Sequence, residues 1–202
     1  VFPDYFQQQM IELNGIELCV TSGGEGPPLV LLHGFPQTHL IWHRVAPLLA
    51  QQFTLVMPDL RGYGNSSAPP GDAEHQTYSK RVMANDIIAL ADLLEFDQFA
   101  LAGHDRGGRV AYRLLLDNPG RVSRFCAIDI IPTLDVWEEM DAAATVSAFH
   151  WSLLAATAPL PERLIGQNPE LFYGALLERW ASNISKLDPR AVSAYLDQYR
   201  DP

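Results

Sequence analysis

Apolar and polar positions alternate early in the chain and then gather into short unbroken runs, and the change of period marks out the elements. From Gln9 to Gly24 the stretch QMIELNGIELCVTSGG alternates around Asn14-Gly15, which predicts two strands joined by a tight hairpin turn. PPLVLLHG, residues 27–34, is an unbroken apolar run ending at a turn, as in a strand buried on both faces. HLIWHRVAPLLAQQ (39–52) has helical spacing and sets Leu40, Val45, Leu48 and Leu49 near one face. FTLVMPDLRGYGNSS reads as a strand followed by a glycine-rich loop, and YSKRVMANDIIALADLLEF as a strongly amphipathic helix. QFALAGHD is a strand, RGGRVAYRLLLDNP a helix stopped by Pro119, and SRFCAIDIIP another strand.

Residues 29–132 therefore alternate β-α-β-α-β-α-β, the order of an α/β protein with a mostly parallel sheet. After Pro132 the chain shows helical periodicity and proline breaks but no strand pattern. The expected division is a core over 1–132 and a helical cap over 133–202. No internal repeat or low-complexity tract interrupts it.

Composition narrows the classes of function. The 202 residues suffice for one sizeable core, and Lys+Arg 14 against Asp+Glu 24 gives a net charge of -10. Nucleic acid is an unexpected partner for so acidic a chain, because its usual footprint is a basic stripe. An anionic ligand would have to be held by a few local cations. No apolar run is long enough for a membrane span, and the opening VFPDYFQQQM has no signal-peptide pattern. It also lacks an initiator Met, so a trimmed N-terminus is expected. Cys19 and Cys126 both lie in strand-like runs without a C-x-x-C, which predicts two buried, reduced thiols and a cytoplasmic protein.

The chemistry concentrates in LAGHDRGGRV, residues 101–110. Gly103-His104-Asp105-Arg106-Gly107 fits a nucleophile elbow, the sharp strand-to-helix turn that lifts its central side chain on a strained backbone. Small residues are required on both sides because the turn crowds its own backbone. A carboxylate at the centre needs no deprotonation and can attack an sp³ carbon to give an ester. Taken alone, G-x-D-x-G also fits an ordinary turn. LLHGFP follows the first core strand, where such enzymes carry an oxyanion-hole loop, so the amides of Phe35 and Arg106 are the expected oxyanion donors. His33 is expected to brace that loop. Arg106 and Arg109, three apart on the next helix, can face one side and grip a carboxylate with their forks; the plain alternative for Arg109 is a surface helix cation.

In this order the motifs resemble the α/β-hydrolase superfamily. HGFP with GHDRGGR resembles its aspartate-nucleophile branch of dehalogenases and epoxide hydrolases. GHDRGGRVAYRL, DIIPT, HW at 150–151 and APLPERLIGQNPELF are similar to the fluoroacetate (haloacetate) dehalogenase family over essentially the whole chain. The resemblance implies hydrolytic dehalogenation of a haloacetate through an Asp105 ester, with Arg106 and Arg109 on the substrate carboxylate. It implies that His150 and Trp151 donate hydrogen bonds to the departing halide, where the pair would otherwise read as core packing. It also implies that Asp129 orients the catalytic histidine, although a strand-end cap is the plain alternative and Asp135 a nearby competitor. A small anionic substrate, a homodimer and no cofactor or metal complete the implied picture.

The pattern breaks in one place. The family's histidine base comes late, whereas the six histidines here are His33, His39, His43, His75, His104 and His150. The base, a third halide donor and the last core strands are expected beyond residue 202, which predicts a fragment lacking the C-terminal part of the core. Tyr195 and Tyr199 come early for the third donor. His39 and His43, spaced i,i+4, read as a helix face rather than metal ligands. Two rival readings remain: an epoxide hydrolase, for which Tyr173 and Tyr195 could protonate the epoxide oxygen, and a non-catalytic small-molecule-binding relative.

Overall fold

A computed structural model of the chain describes residues 1–200, in two compact units, Val1–Ile130 and Ile131 onward. In the first unit, strands β1 (Gln7–Leu13) and β2 (Ile16–Gly23) pair antiparallel from Gln7↔Ser22 to Leu13↔Ile16. Asn14 (φ 51°) and Gly15 (φ 76°) close the hairpin, the left-handed pair whose twist matches the flanking strands. Strands β3 (Pro28–Leu32), β4 (Thr54–Pro58), β5 (Phe99–His104) and β6 (Val122–Ile128) run parallel, and the sheet order is β1-β2-β4-β3-β5-β6. The inner strands are apolar on both faces because helices must cover a parallel sheet. The mostly parallel sheet and the hairpin follow the sequence pattern.

Between β3 and β4 the chain forms a 3₁₀ turn, His39–Trp42, and a single short helix α1, Ala46–Leu49. This departs from the one helical face read over Leu40, Val45, Leu48 and Leu49. Val45 and Leu48 are exposed, and the buried side chains are His39, Trp42 and Ala46. Pro47 is the physical reason: without an N–H it fits only the first turn of a helix, so helix restarts there and its face rotates. Trp42 and Ala46 pack with Leu29, Leu31, Leu55, Met57 and Ala102 in the core.

Helix α2 (Lys80–Leu93) buries Met83, Ala84, Asp86, Ile87, Leu90 and Ala91, a stripe of 3.6-residue period, and the Ser79 hydroxyl caps it by accepting from the Val82 amide. Buried Asp86 takes a two-pronged bond from Arg61, at 2.6 Å from Nε and 2.7 Å from Nη2, while Arg61 Nη1 donates to the Thr77 carbonyl at 3.0 Å. Helix α3 (Arg106–Asp117) packs on the sheet through Gly107, Gly108, Val110, Ala111 and Leu114. Cys19 is buried as expected, but Cys126 is exposed. Its strand β6 pairs on one side only and is the edge of the described sheet, with most of its residues exposed.

The second unit is helical among its described residues: α4 (Thr133–Glu138), α5 (Ala142–Ser147), α6 (Phe149–Leu154), α7 (Leu160–Ile165), α8 (Pro169–Trp180) and α9 (Pro189–Asp197). Asp141, Asn168 and Asp188 cap three of these by accepting backbone amides. Among the described residues, no helix is long and apolar enough to cross a membrane.

Candidate active site

Asp105 stands alone between β5 and α3, with φ 48° and ψ −118°. A side chain on that backbone costs on the order of 1–3 kcal/mol, a strain that concentrates at functional sites. The neighbours explain why the turn closes. A Cβ at Gly103 would lie 2.5 Å from the Gly107 carbonyl oxygen, and one at Gly107 would overlap the His33 carbonyl. Only glycine on both sides lets the strand fold back against the helix. The Asp105 amide donates to the Ile128 carbonyl at 3.2 Å, and its carbonyl accepts the Arg109 amide, so the turn is tied to β6 and α3 together.

The loop after β3 meets this carboxylate. Phe35 donates its amide to Asp105 Oδ1 at 2.7 Å, and a Cβ on Gly34 would sit 2.5 Å from the Asp105 Cβ. His33 holds the loop in place. Its Nε2 accepts the Leu60 amide at 3.0 Å, so the ring proton is on Nδ1, which donates to the Gly34 carbonyl at 3.1 Å. Complete burial pushes the imidazole down to about 4, against the pull of Asp59. His33 is thus a neutral brace, as expected from its place in HGFP.

Three cations surround the carboxylate. Arg106 Nη1 donates to the Tyr63 hydroxyl at 3.0 Å, and its guanidinium lies 4.7 Å from the Phe35 ring centroid. Arg109 is half-buried; burial lowers its guanidinium from the ordinary value, with Asp105 opposing and Arg106 assisting. Lys80, the first residue of α2, is pushed down to about 8 by burial and by the charges of Arg106 and Arg109. The motif reading missed both Tyr63 and Lys80. A lysine opening a helix is disfavoured by the helix dipole, so the order Ser79-Lys80 before an amphipathic run was the available signal. For Tyr63 the signal was its place between two glycines.

Asp129 follows β6 directly, exposed and with a left-handed φ of 50°. Its competitor Asp135 lies in the first turn of α4. His39 opens the 3₁₀ turn His39–Trp42 and His43 closes it, so the α-helical face read from their spacing does not form. His39 is buried, donating Nδ1–H to Asp59 Oδ1 at 2.7 Å and facing Gln8 through Nε2, while His43 Nδ1 donates to the Leu40 carbonyl. Burial works against the Asp59 charge, yet the bonds from His39 hold its carboxyl below the usual range.

His150 and Trp151 belong to α6 in the second unit. His150 is buried with Trp180 edge-on at 5.0 Å, and Trp151 meets Trp137 at 5.5 Å. Tyr173 and Tyr195 are buried in the same unit, and Tyr173 stacks on Tyr199 at 3.6 Å. The structure brings Asp105, Phe35, Arg106 and Arg109 together within the first unit.

The profile of the alpha/beta hydrolase fold family matches residues 27–201. A fluoroacetate dehalogenase from Burkholderia sp. is 44% identical over 198 residues, which are 98% of this chain and 65% of that protein. A soluble epoxide hydrolase from Corynebacterium sp. (strain C12) is 43% identical over 122 residues, 60% of this chain and 41% of the relative. A crystal structure from Nostoc sp PCC 7120, assigned provisionally to the alpha/beta hydrolases, superposes with a TM-score of 0.95 at 43% identity, covering 98% of this chain and 68% of its own. The chain thus spans 65% of the length of the dehalogenase it matches.

Proposed function

The chain belongs to the alpha/beta hydrolase fold family, and within it we propose that the protein hydrolyses the carbon–halogen bond of a haloacetate, turning fluoroacetate into glycolate and fluoride. The observation that carries this reading is a carboxylate on a strained elbow with two arginines on the helix that follows it. Asp105 Oδ1 takes the Phe35 amide, so Oδ2 is the oxygen for attack. It displaces halide from the α-carbon in line, and the halide leaves with the bonding pair. Arg106 and Arg109 hold the substrate carboxylate and set the α-carbon before Oδ2. Water then adds to the ester carbonyl, whose oxygen is Oδ1, and the amides of Phe35 and Arg106 stabilise the developing oxyanion. Collapse releases glycolate and restores Asp105.

His150 and Trp151 are proposed as donors that replace water around the departing halide, and Asp129 as the carboxylate that orients the histidine base. That base is proposed to come from the length of the relatives this chain does not span. A cytoplasmic homodimer acting on small anions is the corresponding proposal for the whole protein.

The likeness to a soluble epoxide hydrolase supports a second reading with the same nucleophile. It would draw on buried tyrosines such as Tyr173 and Tyr195 and would leave the arginine pair without a task. Halide release decides between them. The protein expressed from its native gene should liberate fluoride from fluoroacetate, or halide from chloroacetate, and Asp105→Asn should not. Hydration of an epoxide with no halide release from either acid would overturn the haloacetate reading.

A further inference from the structure

We propose that Tyr63 is the positioning residue for Arg106, and that this phenol–guanidinium contact makes the site select carboxylate-bearing over neutral substrates. The inference rests on the haloacetate reading only in supposing that Arg106 meets a carboxylate. A guanidinium on a long stem loses much rotamer freedom when it must present its fork in one orientation. Here the orientation is set from two sides: Tyr63 Oη accepts Nη1–H at 3.0 Å, and the Phe35 ring lies 4.7 Å from the guanidinium carbon. Both walls are themselves fixed. Phe35 is tied to Asp105 through its amide.

Tyr63 is 8% exposed, its ring edge-on to His33 at 5.2 Å. The Tyr63 amide donates to the Leu60 carbonyl at 2.9 Å, and the Tyr63 carbonyl accepts the Ser66 amide at 3.1 Å. Gly62 (φ 78°) and Gly64 (φ 55°) supply the backbone that lets the loop turn on both sides of the phenol. The Tyr63 bond uses one of the five N–H groups of Arg106 and takes no charge from it. Burial raises the phenol from its ordinary value, so it stays a neutral acceptor for the Arg106 N–H.

The test is acetate binding, which needs no turnover, by calorimetry on the protein from its native gene, with chloroacetate kinetics alongside. Tyr63→Phe keeps the ring and removes the acceptor. The expected result is an acetate Kd about tenfold weaker, the loss typical of one hydrogen bond to a charged group. The KM for chloroacetate should rise by a similar factor while kcat changes less than about threefold. Should this variant fail to fold, Phe35→Leu removes the other wall while keeping its amide, and the same direction is expected. An unchanged acetate Kd in a folded variant, or a fall confined to kcat, overturns the positioning role alone. No acetate binding by the wild-type protein overturns the carboxylate reading beneath it.

Discussion

At the scale of single residues, the site is a balance between one carboxylate and three cations, and Lys80 is the member that can change charge near neutrality. With its ammonium at about 8, Lys80 is charged below that pH and neutral above it. An anion held by Arg106 and Arg109 gains from the third charge, so its affinity should be full below pH 8 and fall as pH rises through that value. The KM for chloroacetate should therefore rise above pH 8 in the wild-type protein, and Lys80→Met should flatten the rise; a wild-type KM flat to pH 10 would count against it. Arg109→Gln removes a permanent charge instead. It should raise KM roughly ten- to hundredfold at every pH, as steady-state kinetics would show. Asp105, Arg106 and Arg109 were legible as a motif because one strand-to-helix turn and the first turn of α3 carry all three. Tyr63 and Lys80 reach the site from other elements, and no local spacing announces that.

At the scale of elements, the Arg61–Asp86 pair binds the loop after β4 to α2, and Asn14 of the first hairpin joins it by donating to Asp86 Oδ1 at 3.2 Å. Removing one partner strands a buried charge, at a cost of about 3–5 kcal/mol. Asp86→Ala should therefore lower the melting temperature by on the order of 10 °C, measured by calorimetry, while a loss below 2 °C would mean the pair is replaceable. His33 adds a pH term. Its ring is held down at about 4, below its unfolded value, so the unfolded chain binds the extra proton first. Stability should be full above about pH 6.5 and fall as pH drops toward 4, as denaturant titrations across that window would show. Strand and helix positions were readable where the period was long, as in α2. The segment 39–52 misled because Pro47 cut a helical pattern whose apolar residues alone looked continuous. Cys126 misled because an apolar run predicts a strand but does not say whether both of its sides are paired among the described residues.

At the scale of the whole molecule, an acidic chain of net charge -10 gathers local positive charge near the Asp105 carboxylate. The sheet order β1-β2-β4-β3-β5-β6 brings this about by placing β5 beside β3, which sets the HGFP loop against the elbow. That juxtaposition was legible only through the order of motifs, since residues 35 and 105 are joined by nothing local. In the proposed reaction Asp105 itself attacks the substrate carbon. The most direct test of that attack is one turnover of chloroacetate in H₂¹⁸O with enzyme in excess, followed by mass spectrometry of glycolate and of the peptide carrying Asp105. Attack by Asp105 leaves the glycolate hydroxyl without label in that first turnover and puts one ¹⁸O in the Asp105 carboxylate. Label in the glycolate hydroxyl and none in Asp105 would mean that water attacks the carbon directly, and would contradict it.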